Sequence, residues 1–198
     1  EGGIELPGFG EKRYLKAVTP EEAEQRDDLV RMYVKNKVWT GEKMATRLWV
    51  GDYSVRKDDG SGCLEFSELA ELSGGGKETA GIERIGVLRA DVDNLGAAFV
   101  AGISREFATV TRTAVLSHQL SVFFKRYINE LCEGNVNGIN EKEYSQFSLF
   151  GREKDKKRDV HIVYSGGDDM FIVGAWDDLI ELAVDIRRAF QRFTNDKL

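Results

Sequence analysis

VYSGGDDMFIVG, residues Val163–Gly174, places Gly-Gly-Asp-Asp between two apolar segments. The apolar and β-branched residues on either side predict two strands, DVHIVYS (159–165) and MFIVGA (170–175). Glycine and aspartate are common turn residues, so the centre predicts a tight turn between these strands. Two adjacent carboxylates at a turn also suit a metal site. The stretch alone does not decide between a plain turn and a metal site.

The neighbouring sequence predicts further strands and helices around this hairpin. IGVLRADVD (85–93) is a mostly apolar strand that ends in carboxylates, and NLGAAFVAGI (94–103) begins a helix. Residues 111–134 form an amphipathic helix, and Asp178 and Glu181 open another. The apolar faces consist of Leu116, Leu120, Phe123, Tyr127 and Leu131 in the first of these two helices and of Leu179, Leu182, Ile186, Phe190 and Phe193 in the second.

The predicted order from residue 85 is β-α-β-β-α, which gives an α+β fold. It matches the ferredoxin-like βαββαβ pattern without its last strand. In this topology the first and third strands lie side by side, so the end of the first strand approaches the hairpin. We therefore expect Asp91 to meet Asp168 and Asp169. Three carboxylates in one place repel one another unless a cation neutralises them, and oxygen ligands suit Mg²⁺ or Mn²⁺. Two such ions can activate a hydroxyl and stabilise a leaving oxygen.

The small residues around these carboxylates predict space for a ligand. Gly166 and Gly167 accept backbone angles that other residues resist, and they leave room for a base or a ribose above the turn. Asn94 follows the strand directly and begins a helix, whose free N–H groups can hold phosphate oxygens.

Composition limits the class of protein. The chain has 198 residues, of which 41% are hydrophobic, and a net charge of −6. This charge argues against a surface that binds nucleic acid or membranes throughout. The two cysteines, Cys63 and Cys132, are far apart and indicate neither a zinc site nor a disulfide framework. No apolar run reaches the ~20 residues of a membrane span and no signal peptide is present, so a reducing, cytoplasmic setting is expected.

Residues 1–80 predict short strands and loops, whereas residues 81–198 predict longer strands and helices, so we predict two parts with a boundary near residue 80. The first is a β-rich linker region, with strands within 31–39 and 46–53 and a short capped helix at 19–25. In the second part, residues 135–159 are polar and predict a surface loop, whose charge run at 152–159 is expected to be solvated. The chain begins with Glu1 and its last helix lacks a closing strand, so a fragment of a longer protein is expected.

The strings LRADVDNLGAAFVAGI, LSHQLSVFFKRYINEL and VYSGGDDMFIVGAWDDLIELAVDIRRAF together resemble the second palm domain of the CRISPR polymerase. That family forms the large subunit of type III, in particular Csm-type, CRISPR effector complexes. RMYVKNK and LWVGDY resemble the linker before this palm. The resemblance implies a palm of the nucleotide cyclase and polymerase type. It also implies that a 3′-hydroxyl attacks the α-phosphate of ATP, releasing pyrophosphate and giving cyclic oligoadenylates when target RNA binds.

Position by position, the resemblance makes Asp91, Asp168 and Asp169 the catalytic residues and the ligands of two Mg²⁺ or Mn²⁺ ions. It implies that ATP is contacted by Val92, Asn94, Leu95, Gly96, Ser117, Gly166 and Gly167. The implied partners are other subunits of the complex, CRISPR RNA, target RNA and a second palm domain of the parent chain, with no membrane. Because ATP is expected to bind between two palms, this palm alone should cyclise ATP poorly.

Two other functions stay open from the sequence. A nucleotide cyclase like the diguanylate cyclases is one, although that family favours Glu and Phe where this chain has Asp169 and Met170. A non-catalytic scaffold palm is the other, although the complete set of three carboxylates speaks against it. These 198 residues do not include the family's HD nuclease domain, since His118 and His161 do not form an HD pair.

Overall fold

The computed structural model describes residues 3–8, 10–37, 43–74, 81–134, 147–149 and 157–195. The chain forms two compact units, Glu1–Leu48 and Trp49–Leu198. This division lies at Leu48 rather than near residue 80, because residues after Trp49 pack within the second unit. The Asn129 side chain, for example, accepts hydrogen bonds from the backbone N–H groups of Asp52 and Tyr53, both at 3.0 Å.

The first unit consists of two small strand pairs and one short helix. Its elements are β1 (Ile4–Leu6), β2 (Arg13–Leu15), α1 (Pro20–Gln25), β3 (Tyr33–Lys35) and β4 (Thr46–Leu48). β1 and β2 are antiparallel, and β3 and β4 are parallel. The predicted cap of α1 is confirmed, because Thr19 Oγ1 accepts from the Glu22 N–H and the Glu22 carboxylate accepts from the Thr19 N–H. The predicted strands are shorter than expected, and residues 38–42 lie outside the described part.

The second unit contains a three-stranded sheet and most of the helices. Its elements are α2 (Phe66–Glu71), β5 (Ile85–Asp91), α3 (Leu95–Ala101), a 3₁₀ turn (Arg105–Phe107), α4 (Val110–Val122), a π-helical segment (Phe123–Tyr127), α5 (Ile128–Glu133), β6 (Val160–Gly166), β7 (Asp169–Ala175) and α6 (Trp176–Phe193). The strand order is β5-β7-β6, and both pairs are antiparallel. The prediction that the first and third strands lie side by side is confirmed by the pairing of β5 with β7, and the α+β class is confirmed as well.

One face of this sheet forms the hydrophobic core with α4, α5 and α6. Met170 and Ile172 of β7 are 1% and 0% exposed and pack with Phe123, Ile128 and Leu182 from the helices. The predicted apolar faces of both long helices are confirmed by burial. Their innermost members, Leu120, Phe123, Leu131, Leu179, Leu182 and Ile186, are all buried.

A buried ionic cluster, Arg158 with Asp178, Glu181 and Asp185, corrects the prediction of a solvated charge run. The Arg158 guanidinium is 3% exposed, bonds to Glu181 and Asp185, and lies 3.8 Å from Asp178. Desolvation by itself lowers the pKa of Arg158, but the hydrogen bond to Asp185 and the charge of Glu181 outweigh it, so this pKa is raised. The three carboxylates share one face of α6 and require a cation there. Residues 152–156 of the run lie outside the described part.

Among the described residues, no helix combines the length and the apolar character needed to cross a bilayer.

Candidate functional site

The Gly-Gly-Asp-Asp sequence forms the turn between β6 and β7. Gly166 pairs with Asp169, so Gly167 and Asp168 form a two-residue hairpin turn. Gly167 has φ +56°, a left-handed conformation that favours glycine at the first position of such a turn. Gly166 has no such requirement, and a Cβ there would lie 3.6 Å from Lys125 Cε. The two glycines therefore differ: Gly167 shapes the turn and borders open space, whereas a side chain at Gly166 would contact Lys125.

The register of the sheet brings two of the predicted carboxylates together. Asp91, the last residue of β5, lies directly opposite Asp169, the first residue of β7. Directly opposed residues of an antiparallel pair share a face, with Cβ atoms about 4.5–5.5 Å apart, and like charges there are unfavourable. The approach of the first strand to the hairpin, expected from the topology, is thus present. Two opposed carboxylates form a place where a cation would relieve repulsion.

These carboxylates lie on the face of the sheet that points away from the core. We call this the open face and define it by Val87, Arg89 and Asp91 of β5 and by Asp169 and Phe171 of β7. In β5, alternate residues are exposed, from Ile85 to Asp91, and Val87 is 60% exposed. The open face therefore presents two carboxylates to solvent and to any ligand.

Each of the two opposed carboxylates already accepts one hydrogen bond. Asp91 Oδ1 accepts from the Val92 N–H at 3.0 Å, and Asp169 Oδ2 accepts from the Tyr164 hydroxyl at 2.9 Å. Asp168 lies in the turn and is partly exposed. Over the described ranges, no group of three or more His, Cys, Asp or Glu side chains is arranged to hold a metal ion. The register thus brings Asp91 and Asp169 together, and Asp168 lies directly before Asp169 in the turn. Carboxylate oxygens nevertheless fit hard cations such as Mg²⁺.

The segment after β5 turns sharply into α3. Asn94 is left-handed, with φ +56°, and its side chain forms no capping hydrogen bond to the helix. Leu95 and Gly96 are the first residues of α3, and a Cβ added at Gly96 would meet no atom within 4 Å. Val92 instead packs its side chain against the core. The Val92 side chain is therefore turned to the core, whereas Gly96 borders open space.

Ser117 is exposed on α4. Its neighbour Leu116 lines a cavity of about 530 Å³, together with Gln119 of α4, Ala98 of α3 and Phe193 of α6. Ser117 itself is not among the lining residues. This cavity lies between the helices that follow β5 and has the size of a small-ligand site.

The helical layer anchors the turn end of the hairpin. Ser165 donates a hydrogen bond from Oγ to the carbonyl of Phe124, which lies in the π-helical segment. Gly51 lies at the same point, where an added Cβ would stand only 2.7 Å from Ser165 Cβ. Irregular π-helical turns often occur at functional sites. Here the irregular turn supplies the carbonyl that fixes the strand leading to Gly166.

Tyr164 is a residue of this site that the sequence analysis missed. A bulge between Ile162 and Tyr164 shifts the register, so that Tyr164 rather than Val163 lies opposite Phe171. The two rings are parallel within 7°, with centroids 6.1 Å apart. The hydrogen bond to Asp169 is the main reason why the pKa of Tyr164 is raised. The only signal in the sequence is the lack of strict alternation in HIVYS, which does not identify the bulge.

Comparison with known proteins places this site in a family. The family model "Cas10/Cmr2, second palm domain" matches residues 84–198. The chain is 38% identical to the CRISPR system single-strand-specific deoxyribonuclease Cas10/Csm1 (subtype III-A) of Mycobacterium tuberculosis, covering 99% of this chain and 22% of that protein. It is 37% identical to the protein of the same name from Streptococcus thermophilus, covering 96% and 21%. The chain thus spans about a fifth of the length of these curated relatives.

Solved structures agree with this assignment. A crystal structure of a Csm1–Csm4 cassette in complex with cA4 has a TM-score of 0.71 and 32% identity, covering 94% of this chain and 24% of that chain. A Csm1–Csm4 cassette in complex with one ATP has a TM-score of 0.66 and 36% identity, covering 83% and 22%. The chain therefore belongs to the Cas10/Csm1 family of type III-A CRISPR large subunits, and residues 84–198 form its second palm domain.

Proposed function

We propose that this chain is the nucleotidyltransferase palm of a type III CRISPR complex and polymerises ATP into cyclic oligoadenylates when target RNA binds. The observation that carries the proposal is the opposition of Asp91 and Asp169 on the open face of the sheet. Related Csm1–Csm4 cassettes have been solved with ATP and with cA4, which supports a nucleotide at this palm.

In this proposal Asp91, Asp168 and Asp169 hold two Mg²⁺ or Mn²⁺ ions. When bound, such ions activate the attacking 3′-hydroxyl and neutralise charge on the phosphates. The protein's part is to fix the two opposed carboxylates on neighbouring strands and to supply the third from the turn. Strands position such groups more firmly than loops do.

The residues around the carboxylates are proposed to hold the nucleotide. Gly167 borders open space at the turn, Gly96 borders open space at the start of α3, and Gly166 is proposed to lie beside the nucleotide together with Gly167. Asn94 and Leu95 are proposed to lie along the phosphates and sugar, and Val92 to contribute its backbone.

Ser117 is proposed to lie near the adenine. Its neighbour Leu116 lines the cavity between α3, α4 and α6, which offers a place for an apolar ring.

The remaining parts of the proposal concern the parent protein. We propose a complete ferredoxin-like sheet, in which a fourth strand lies beside β5, since strand order β5-β7-β6 matches strands one, three and two of that topology. The proposed partners are a second palm, other subunits such as Csm4, CRISPR RNA and target RNA. A cytoplasmic location belongs to the same proposal.

The test uses the full-length protein in its complex, with labelled ATP, Mn²⁺ or Mg²⁺, and target RNA. We expect RNA-dependent oligoadenylates from the wild type and none from the Asp168→Asn, Asp169→Asn double variant, with complex assembly unchanged. Asp93→Asn is the matched control, because Asp93 is an exposed carboxylate just beyond the end of β5. It should retain synthesis.

Three outcomes would contradict the proposal in different ways. Synthesis that survives in the double variant would remove the metal role of the pair. Consumption of GTP instead of ATP would favour a cyclase like the diguanylate cyclases. If the wild type assembles normally with RNA but makes no nucleotide product, the result would favour a non-catalytic scaffold palm.

A further inference from the structure

The bulge in β6 decides which side chain stands beside the opposed carboxylates. Ile162 pairs with Ile172 and points to the core, and the next pair is Tyr164 with Phe171. Without the extra residue, Val163 would lie opposite Phe171 and Tyr164 would point toward the core. Bulges next to functional sites commonly redirect a side chain in this way. The result here is a phenol on the open face, next to the first residue of β7.

We propose that Tyr164 is a positioning residue for Asp169, holding one carboxylate oxygen so that the other faces a metal ion opposite Asp91. The inference rests on the proposed function, in which Asp169 is a metal ligand. Tyr164 donates its hydroxyl to Asp169 Oδ2 at 2.9 Å, which leaves Oδ1 for a cation. Ligating carboxylates are commonly oriented by such outer hydrogen bonds.

The phenol is itself held in place, as a positioning group requires. Its ring stacks on Phe171, parallel within 7°. In the sheet, Phe171 of β7 lies between Arg89 of β5 and Tyr164 of β6. Ser165, the next residue along β6, is tied to the Phe124 carbonyl in the helical layer. Backbone and ring are thus both fixed, so the hydroxyl has little freedom to leave Asp169.

The alternative role for the same hydrogen bond is competition, in which the phenol occupies Asp169 and must be displaced by the metal. The geometry favours positioning, because among the described residues a hydrogen bond reaches Asp169 Oδ2 alone and not Oδ1. The two roles predict opposite effects of removing the hydroxyl. Positioning predicts weaker metal binding, and competition predicts tighter binding.

The experiment measures Mn²⁺ binding to the full-length protein in its complex, without ATP, from the electron paramagnetic resonance signal of free Mn²⁺. The Asp91→Asn, Asp169→Asn variant defines the background from other sites. After this background is subtracted, we expect Tyr164→Phe to weaken Mn²⁺ binding by about 10–100-fold, the usual effect of losing a hydrogen-bond partner of a metal ligand. The Mn²⁺ concentration for half-maximal oligoadenylate synthesis should rise similarly, with the rate at saturating Mn²⁺ nearly unchanged.

Tyr127→Phe is the matched control, since Tyr127 packs its ring against Phe123 and Phe193 in the helical layer. It should leave Mn²⁺ binding unchanged. Both variants should keep the melting temperature of the metal-free protein, because Tyr164 is 42% exposed and keeps its ring in phenylalanine.

Equal or tighter Mn²⁺ binding by Tyr164→Phe would overturn the positioning role. If the wild type binds Mn²⁺ through Asp91 and Asp169 and makes oligoadenylates, that result leaves the proposed function standing. If the wild type shows neither, the proposed function and this inference fall together.

Discussion

Replacing Arg158 with methionine tests the buried ionic cluster that attaches β6 to α6. Arg158→Met keeps the apolar stem and removes the guanidinium, which bonds to Glu181 and Asp185 and lies 3.8 Å from Asp178. All four side chains are at most 3% exposed. The variant therefore leaves three carboxylates buried without their cation.

The structure sets the expected size of the effect. Removing one partner of a buried ion pair typically costs about 3–5 kcal/mol of stability. Here each carboxylate keeps one backbone donor, from Phe147, Leu149 or Asp159, so the cost should not exceed this range. We expect about 4 kcal/mol, and at ~2–4 °C per kcal/mol for a chain of this size the melting temperature should fall by about 8–16 °C.

The measurement is unfolding by urea and by heat, followed by circular dichroism. Arg126→Met is the control, because Arg126 pairs with Glu130 at 3.4 Å but is one-third exposed. The contact of its guanidinium with the Trp49 ring adds a weak cation–π interaction. The control should lose about 1 kcal/mol or less. A loss for Arg158→Met no larger than for the control would refute the reasoning that this cluster stabilises the unit.

Three further predictions follow from single sites. Gly96→Ala should raise the stability of α3 by about 0.5–1 kcal/mol, because an added Cβ meets no atom within 4 Å. The same substitution should lower oligoadenylate synthesis, because Gly96 is proposed to border the nucleotide. Unchanged synthesis would remove Gly96 from the proposed site. Iodoacetamide should label Cys63 in the native protein but not Cys132, whose pKa burial raises, and peptide mass spectrometry should find Cys132 labelled only after unfolding; equal labelling would contradict its burial. The hydrogen bonds from Arg26 lower the pKa of Asp28 to about 2, so this pair stabilises the fold above the ordinary carboxyl pKa of 3.8 and loses that contribution as pH falls toward 2; nuclear magnetic resonance titration should show this value, and Arg26→Gln should return it toward 3.8.

Much of the second unit follows from local patterns in the sequence. The apolar spacing from Leu179 to Phe193 predicts α6 because one helical face must pack against the sheet. The Gly-Gly-Asp-Asp turn and the strand order then predict that Asp91 approaches Asp169. The register of β5 and β7 confirms this approach. These features depend on short-range periodicity and on one topological rule, so the sequence is sufficient for them.

The features that the sequence analysis missed depend on contacts across the fold. Arg158 belongs to a charged run, and its burial becomes visible only when α6 presents three carboxylates to it. Tyr164 points to the open face because of a one-residue bulge, and a shift of one residue reverses the face of every following side chain. Neither the partner of a charge nor a bulge is encoded in periodicity, so these contacts required the structure.

The position of Asp169 relative to Asp91 depends on contacts on three sides of the hairpin. The register with β5 sets the pair, Ser165 fixes the strand to Phe124, and Arg158 fixes the beginning of β6 to α6. Functional groups must be held within about 0.5 Å of their working geometry. Substitutions beside the carboxylates that leave the ionic cluster of Arg158 intact, such as those at Ser165, should therefore weaken the proposed metal binding more strongly than they reduce stability.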